Sequence, residues 1–419
     1  MLGYFSYPYD RPEHLSGDYI IATYLIYGTD YITILNKAGG FAVGQTIGTW
    51  VAVPGISANM VERYQGRIIS LEAVPCADAS EQTVFVLRLA FPQANFAGSF
   101  TMMMTALVGN DVSTALRTKL VNLELCGNAA GAFAGPKQGI DELRKLTGVY
   151  DRPLVLNMIK PCTGFTPTEG AKLFYEVAKG GVDLIKDDEL LGSPCYNPVV
   201  QRVAAYNKAT DSAYELTGKR TVYMPNISGS PKQMRENAKA AIDAGARACL
   251  VNFVFGGLDL LAEICEEFGD RLFIMAHYAG VGVMNWAQGG VANPVFIGLL
   301  PRLAGAHAVM TMYPNRSDPE AMFDFYKTVQ AQNLPLAGLR PVVTTVGGGV
   351  TPINQAGVQQ DLGKDIIIGI GGAIQGHPMG TAVGAQTAMA AVNATAQGVP
   401  LETAAKTCEG LQAALQFWK

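Results

Sequence analysis

DRPLVLNMIKPCTGFTPTEGAKLFYEVAKGGVDLIKDDEL, residues 151–190, decides the fold. It reads as an apolar run (PLVLNMI, 153–159), a Gly/Pro loop, a helical stretch (TEGAKLFYEVAKGG, 168–181) and a second apolar run (VDLIK, 182–186). Ala171, Leu173, Phe174 and Val177 recur at helical spacing, with Thr168 available as a cap. Runs that are apolar throughout, rather than alternating, belong to strands buried on both faces. The rhythm continues in RTVYMPN (220–226), ACLVNFV (248–254), RLFIMAH (271–277), HAVMTM (307–312), RPVVTTV (340–346) and DIIIGIG (365–371), with helix candidates such as 231–245 and 318–332 between them. Eight parallel strands with crossover helices predict an α/β chain built on a (β/α)8 TIM barrel. A doubly wound open sheet is the alternative, and the count of eight favours the barrel.

Residues 1–135 read differently, as a small α+β, ferredoxin-like domain ahead of a barrel domain at 136–419. YIIATYLIY (19–27), QTVFVLRLAFP (82–92) and FTMMMTALVG (100–109) are expected as strands, with a helical pattern around 112–120. Hydrophobic residues make up 49% of the 419 and charged residues 16%, which gives ample core and no sign of bulk disorder. The net charge of −4 and the lack of a basic run argue against a nucleic-acid partner. No apolar stretch approaches the roughly 20 residues that span a bilayer. The N-terminus lacks the basic and apolar regions of a signal peptide. The seven cysteines are scattered without C-x-x-C spacing, so free thiols in the cytoplasm are expected.

In a barrel of this kind the chemistry sits at the C-terminal ends of the strands. That rule isolates Lys160, the run Lys186–Glu189, Asn226, His277, the glycines Gly347–Gly349 and the pair Gly371–Gly372. GGVDLIKDDEL (180–190) is the strongest of these signals. Lys186 and Asp188 are two apart and share a strand face, and Glu189 follows where the backbone turns. Three acids beside one lysine offer hard oxygen ligands for Mg²⁺. The lysine either neutralises the cluster or, as a carbamate formed with CO₂, adds a third anionic oxygen ligand. A solvated KDDE turn is the plainer reading. Glycine pairs at the ends of strands seven and eight can expose N–H groups to a phosphate, or can simply make tight turns.

GGVDLIKDDEL resembles the G-G-x-D-x-x-K-D-D-E segment of RuBisCO and RuBisCO-like proteins. The resemblance runs along most of the chain: GTW (48–50), VGN (108–110), GPKQGI (135–140) with DRPLV (151–155), NMIKPCTG (157–164), MAHYA (275–279) and GIGGAIQGHPMG (369–380), in the family's order. It implies Mg²⁺ held by Asp188, Glu189 and a carbamate on Lys186. It further implies proton transfer by Lys160, active-site roles for His277 and Asn110, and a phosphate site from Thr49, Trp50, Gly347, Gly348, Gly371 and Gly372. It also implies a homodimer with active sites at the subunit interface.

The departures from RuBisCO carry information. Cys162 stands where a second lysine is expected, Tyr278 where an arginine is, and Val309 or Met310 where a histidine is. The loop MYPNRSDPE (312–320) has no lysine, and the N-domain glutamate falls at Gly44 or Gln45. One phosphate site survives and the carboxylating lysine is missing. The resemblance therefore implies an enediolate-forming enzyme of the non-carboxylating kind, acting on a phosphorylated sugar or sugar acid. Decarboxylation or hydrolytic C–C cleavage of a 3-oxo sugar-acid phosphate, of the 3-oxo-isoapionate 4-phosphate type, is the leading expectation. The alternatives are an enolase or isomerase of methylthioribulose-type phosphates, as in methionine salvage, and a non-catalytic protein that keeps the metal box.

Overall fold

The computed structural model describes residues 17–28, 30–49, 51–74, 83–115 and 118–418. They fall into two compact units. The first comprises Met1–Ala134 with Gly280–Leu300 and Leu336–Leu339; the second comprises Gly135–Ala279, Pro301–Pro335 and Arg340–Lys419.

The first unit is built on strands β1 (Tyr19–Gly28), β2 (Arg67–Val74), β3 (Thr83–Pro92) and β4 (Thr118–Cys126). β1 lies antiparallel between β3 and β4, and β2 pairs with β3. The unit departs from the expectation in two places. FTMMMTALVG is a helix, Phe100–Val108, rather than a strand. Ser99 caps it by accepting the Met102 N–H, and Phe100, Met103 and Leu107 are its buried residues. Only Thr101 and Thr105 interrupt the apolar run, both on its exposed side, so its period is faint and the Ser99 cap is the clearer signal. The pattern at 112–120 is a short helix, Asn110–Ala115, giving way to β4.

The barrel strands are β5 (Leu154–Met158), β6 (Leu184–Lys186), β7 (Val222–Met224), β8 (Ala248–Asn252) and β9 (Phe273–His277). After β9 the chain makes a small hairpin, β10 (Asn285–Trp286) and β11 (Gly289–Val291), whose second strand joins β4 in parallel in the first unit. The last barrel strands are β12 (Ala308–Met312), β13 (Val343–Gly347) and β14 (Ile367–Gly369). The order β7-β6-β5-β14-β13-β12-β9-β8 is parallel throughout. The Asn226–Leu250 bridge closes it into a barrel. All eight expected strands are present. Leu154, Leu156, Leu184, Met224, Leu250 and Met275 belong to one buried layer that fills the interior, as strands apolar on both faces require. The helix after β5, Pro167–Ala178, is capped by Thr166 in a capping box with Glu169, not by Thr168. Pro167 supplies the first-turn position that suits a residue without an N–H.

The N-terminal ends of the strands hold buried polar groups that serve stability. Asp183, ahead of β6 and 0% exposed, receives both guanidinium nitrogens of Arg152 at 2.6 and 2.9 Å, the Lys219 ammonium at 2.5 Å and the Val155 N–H at 2.7 Å. His307, just before β12, accepts the Ile274 N–H on Nδ1 at 3.0 Å. Burial, reinforced by Arg340, pushes its imidazole down to about 3. A folded pKa below the unfolded one means that the unfolded chain takes up the proton first. The resulting stability is full above the unfolded value of about 6.5 and fades as pH falls towards 3, with a loss on the order of a few kcal/mol. A His307→Gln variant should therefore lose less stability than the native chain between neutral pH and pH 4. Parallel pH profiles of the two in denaturant melts would contradict this.

Candidate active site

The C-terminal ends of the barrel strands enclose a cavity of about 380 Å³, within the size range of small-molecule sites. A larger groove of about 1090 Å³ runs along the outside of the barrel between helices Pro167–Ala178 and Val199–Thr217. It lies away from the strand ends and gathers no pair of catalytic groups, so the barrel mouth is the candidate site.

Lys186 ends β6 with its side chain 0% exposed. Its Nζ donates to the Asp187 carbonyl at 3.0 Å and lies 3.8 Å from Glu189 Oε2. Burial, only partly offset by Glu189, Asp188 and Asp187, lowers its pKa to about 8. About a tenth of it is then the neutral amine at pH 7, against well under ~0.1% for an ordinary lysine. Asp188 is buried and its Oδ2 accepts from Lys160 Nζ at 2.5 Å, while Oδ1 accepts the Leu190 N–H at 3.1 Å. Lys160 Nζ also reaches Cys162 Sγ at 3.2 Å. Burial works against the Lys160 charge, but Asp188 and Cys162 outweigh it and hold the ammonium above its ordinary value. His277, at the end of β9, accepts the Ala279 N–H on Nδ1 at 3.1 Å. Its Nε2 therefore carries the proton of the neutral ring and sits 3.6 Å from Glu189 Oε2. Burial and then Lys186 push its pKa well below the usual histidine value.

The glycine loops form the opposite side. Gly348 and Gly349 line the cavity in the left-handed region, at φ +82° and +73°, which glycine adopts without strain. Gly371 and Gly372 line it after β14, and beside Gly372 there is open space where a side chain would stand. Gly347 is buried in β13, where a Cβ would meet Met310 Cε at 2.6 Å; it makes room for packing and does not face the cavity. The remaining wall is mostly apolar, from Met158, Met310, Val350, Ala373 and Trp418, with Tyr278 and Thr351 as its polar members. The Tyr278 ring stacks on His277 with centroids 5.1 Å apart.

Lys160, Lys186, Asp188, Glu189, His277, Gly348, Gly371 and Gly372 thus come together around one mouth. Thr49 and Asn110 are exposed in the first unit, and Trp50 lies outside the described residues. Of the acid run, the two carboxylates expected as ligands, Asp188 and Glu189, stand at the mouth with Lys160 and Lys186. Asp187 is buried away from the cavity and paired with Arg202. Met158 and Trp418 went unrecognised in the sequence, because nothing local marks an apolar residue as facing a substrate.

The description of the RuBisCO large-chain catalytic domain matches residues 139–418, and that of its N-terminal domain matches residues 9–124. A ribulose bisphosphate carboxylase-like protein of Archaeoglobus fulgidus is 35% identical over 405 residues, covering 94% of this chain and 92% of its own. A 2,3-diketo-5-methylthiopentyl-1-phosphate enolase of Geobacillus thermodenitrificans is 33% identical over 410 residues, covering 95% and 98%. Among solved structures, the rubisco-like protein (MtnW) of Alicyclobacillus acidocaldarius superposes with a TM-score of 0.87 at 32% identity, covering 96% of this chain and 100% of its own. The barrel with its N-terminal domain, the strand-end lysine and carboxylates, and these matches over nearly the whole length agree: the chain belongs to the RuBisCO large-chain family, on the branch of the RuBisCO-like proteins.

Proposed function

We propose that the protein is a metal-dependent enolising enzyme. It moves a proton beside a ketone of a sugar-derived monophosphate whose other end is apolar, and it does not fix CO₂. The wall of the cavity carries this reading. Tyr278 and Met310 line the mouth where a second phosphate would need cations. The lysines among the lining residues are both engaged, Lys160 on Asp188 and Lys186 in the buried cluster. An unpaired anion there would cost several kcal/mol. Of the two enzymatic expectations, the enolase reading is favoured over decarboxylation or hydrolysis, both by this wall and by the relatives named as enolases.

The donor set accommodates a divalent ion on one condition. Among the described residues no three His, Cys, Asp or Glu side chains form a ready ion cage. Asp188 and Glu189 supply carboxylates, and a carbamate on the buried, partly neutral Lys186 amine would supply the third anionic oxygen donor that a hard cation calls for. Mg²⁺ held by these three would polarise the substrate ketone and stabilise the enolate charge. Lys160 holds a proton at Nζ beside Asp188, placed to exchange it with substrate carbon. His277 presents a neutral Nε2–H to a substrate oxygen. The N–H groups around Gly348, Gly349, Gly371 and Gly372 orient the phosphate.

Two further features support the reading. The loop after β12 has Arg316 as its cation, and Asp361 holds it at 2.9 Å while also accepting from Tyr313 at 2.8 Å. That loop presents no lysine to an incoming CO₂. The segments leaving the strand ends also carry exposed apolar side chains: Leu190, Tyr196, Phe255, Met312 and Met379, between 45% and 76% exposed. Such a rim supports a dimer that covers the barrel mouth.

The test is a panel of ketose and diketo monophosphates with apolar or carboxylate tails, with ribulose bisphosphate included. Turnover of the apolar-tailed ketones is expected, with weak bisphosphate binding and no carboxylation. CO₂ release from a 3-oxo acid phosphate as the fastest reaction would overturn the assignment in favour of decarboxylation. Tyr278→Arg should tighten binding of a bisphosphate analogue about tenfold, as one added charge-assisted contact would, without creating carboxylase activity. An unchanged affinity would show that Tyr278 does not occupy the second-anion position.

A further inference from the structure

The middle acid of the run, Asp187, has both carboxylate oxygens bonded behind the site. Its Oδ2 accepts from Arg202 Nε at 3.0 Å and the Asn226 N–H at 2.8 Å and lies 2.9 Å from Arg202 Nη2 in an ion pair, and its Oδ1 accepts from Tyr223 Oη at 2.7 Å. Arg202 is itself held by Asn197 through Nη1, to the carbonyl at 2.6 Å and to Oδ1 at 3.1 Å, and by the Gly192 carbonyl through Nη2 at 2.8 Å. Arg202 and Asp187 are both 0% exposed as side chains. A second tier reaches the same segment from the neighbouring strands. Asn226 Nδ2 donates to the carbonyls of Asp188 and Glu189 at 3.3 and 3.1 Å, and Asn252 Nδ2 donates to that of Glu189 at 2.8 Å.

Residues 186–189 are therefore gripped from below through the Asp187 side chain and from the side through their own carbonyls. The grip has a chemical consequence. Lys186 Nζ donates to the carbonyl of Asp187, so the residue that anchors the segment also sets where the amine rests. With Asp187 turned inwards, its two neighbours are left to turn towards the barrel mouth. A buried ion pair with both carboxylate oxygens and all three guanidinium nitrogens bonded is a device for holding one backbone geometry. Groups behind metal ligands fix ligand orientation, and their loss costs affinity for the ion.

We propose that Asp187, locked by Arg202 and Tyr223, is the positioning residue of the metal centre: it sets the separation of Lys186, Asp188 and Glu189 without touching ion or substrate. The inference rests on the assignment of those three residues as the ion's ligands. The test measures Mn²⁺ binding by electron paramagnetic resonance in the presence of bicarbonate, with thermal melts alongside. Wild type, Asp187→Asn, Tyr223→Phe and, as a control, Asp183→Asn at the far end of the barrel are compared. Asp187→Asn is expected to raise the Mn²⁺ Kd about 10- to 100-fold. Tyr223→Phe removes two bonds, the one Tyr223 Oη donates to Asp187 and the one it accepts from Arg202 Nε at 2.9 Å, and keeps the ion pair, so it should fold like the wild type and raise Kd about tenfold, the low end of the same range. Asp183→Asn should melt lower than the wild type and Tyr223→Phe and bind Mn²⁺ like the wild type. A Kd within twofold of wild type in Tyr223→Phe and in any folded Asp187→Asn overturns the proposal. So does an equal loss of affinity in Asp183→Asn, because the effect would then follow stability alone. A wild type that binds no Mn²⁺ removes the ligand assignment itself, which separates that failure from this one.

Discussion

Replacing Lys186 with methionine should reduce turnover roughly 10³-fold or more, the loss expected when several kcal/mol of charge stabilisation disappear, and should leave the barrel at least as stable. The two effects have one origin. The amine is fully buried and its pKa is held at about 8, chiefly by burial. Its folded pKa lies below its unfolded one, so the cost of charging it is absent only above the unfolded value of about 10.5. The cost grows as pH falls through 8 and is present in full at neutral pH, on the order of a few kcal/mol. Methionine fills a similar volume without that cost. It cannot become a carbamate, so the third anionic oxygen donor is lost. Activity, measured with and without added Mg²⁺ and bicarbonate, should vanish while the melting temperature holds or rises. Full activity in the variant would remove the carbamate from the account. A folded but inactive variant that regains rate with small carboxylic acids would strengthen it.

Asp183→Asn should have the largest effect on stability, a loss of roughly 3–5 kcal/mol, the usual result of removing one partner from a buried pair. The substitution leaves the Arg152 guanidinium, 8% exposed, without its bidentate carboxylate, and leaves Lys219 with the Gly181 carbonyl but no counter-charge at Asp183. Burial alone would raise the Asp183 pKa, but Arg152 and Lys219 reverse this and hold the carboxyl below the usual aspartate range. A depressed carboxylate pKa gives stability that is present above the unfolded value and lost as pH falls through the folded one. The gap between wild type and variant should therefore be full near pH 7 and close in strong acid. Chemical denaturation at several pH values measures it. A gap under about 1 kcal/mol at pH 7, the size expected of a surface pair, would mean that the cluster is not the anchor described. Turnover per folded molecule should be little changed, because Asp183 precedes β6 at the end opposite Lys186.

Much of the barrel was legible because its strands are buried on both faces. An apolar run such as DIIIGIG between turn signals has few other homes in a chain with this helix rhythm. The first unit was less legible. In Phe100–Val108 only Thr101 and Thr105 are polar, so its periodicity is faint, and β4 begins only three residues after a short helix ends. At the site, strand-end position found Lys160, Lys186, His277 and the glycines. The resemblance singled out Asp188 and Glu189 as the carboxylate ligands, but nothing in the sequence showed where Asp187 turns. That is settled by Arg202, fifteen residues on and buried on a helix, and by Tyr223 on the next strand. The apolar wall was foreshadowed by Tyr278 and Met310, where cations were expected. Trp418, on the last turn of the chain, had no such signal.

The most direct test of the central claim is proton NMR in D₂O on a 2,3-diketo-pentyl 1-phosphate with a thioether tail, run with purified protein, Mg²⁺ and ¹³C-bicarbonate. The account predicts stereospecific entry of one deuterium beside the ketone, dependent on Mg²⁺ and on Lys186, with no ¹³C in the product. Transfer of ¹³C into a new carbon–carbon bond would contradict it. So would the absence of deuterium entry into every ketone monophosphate tried by a protein that binds the metal.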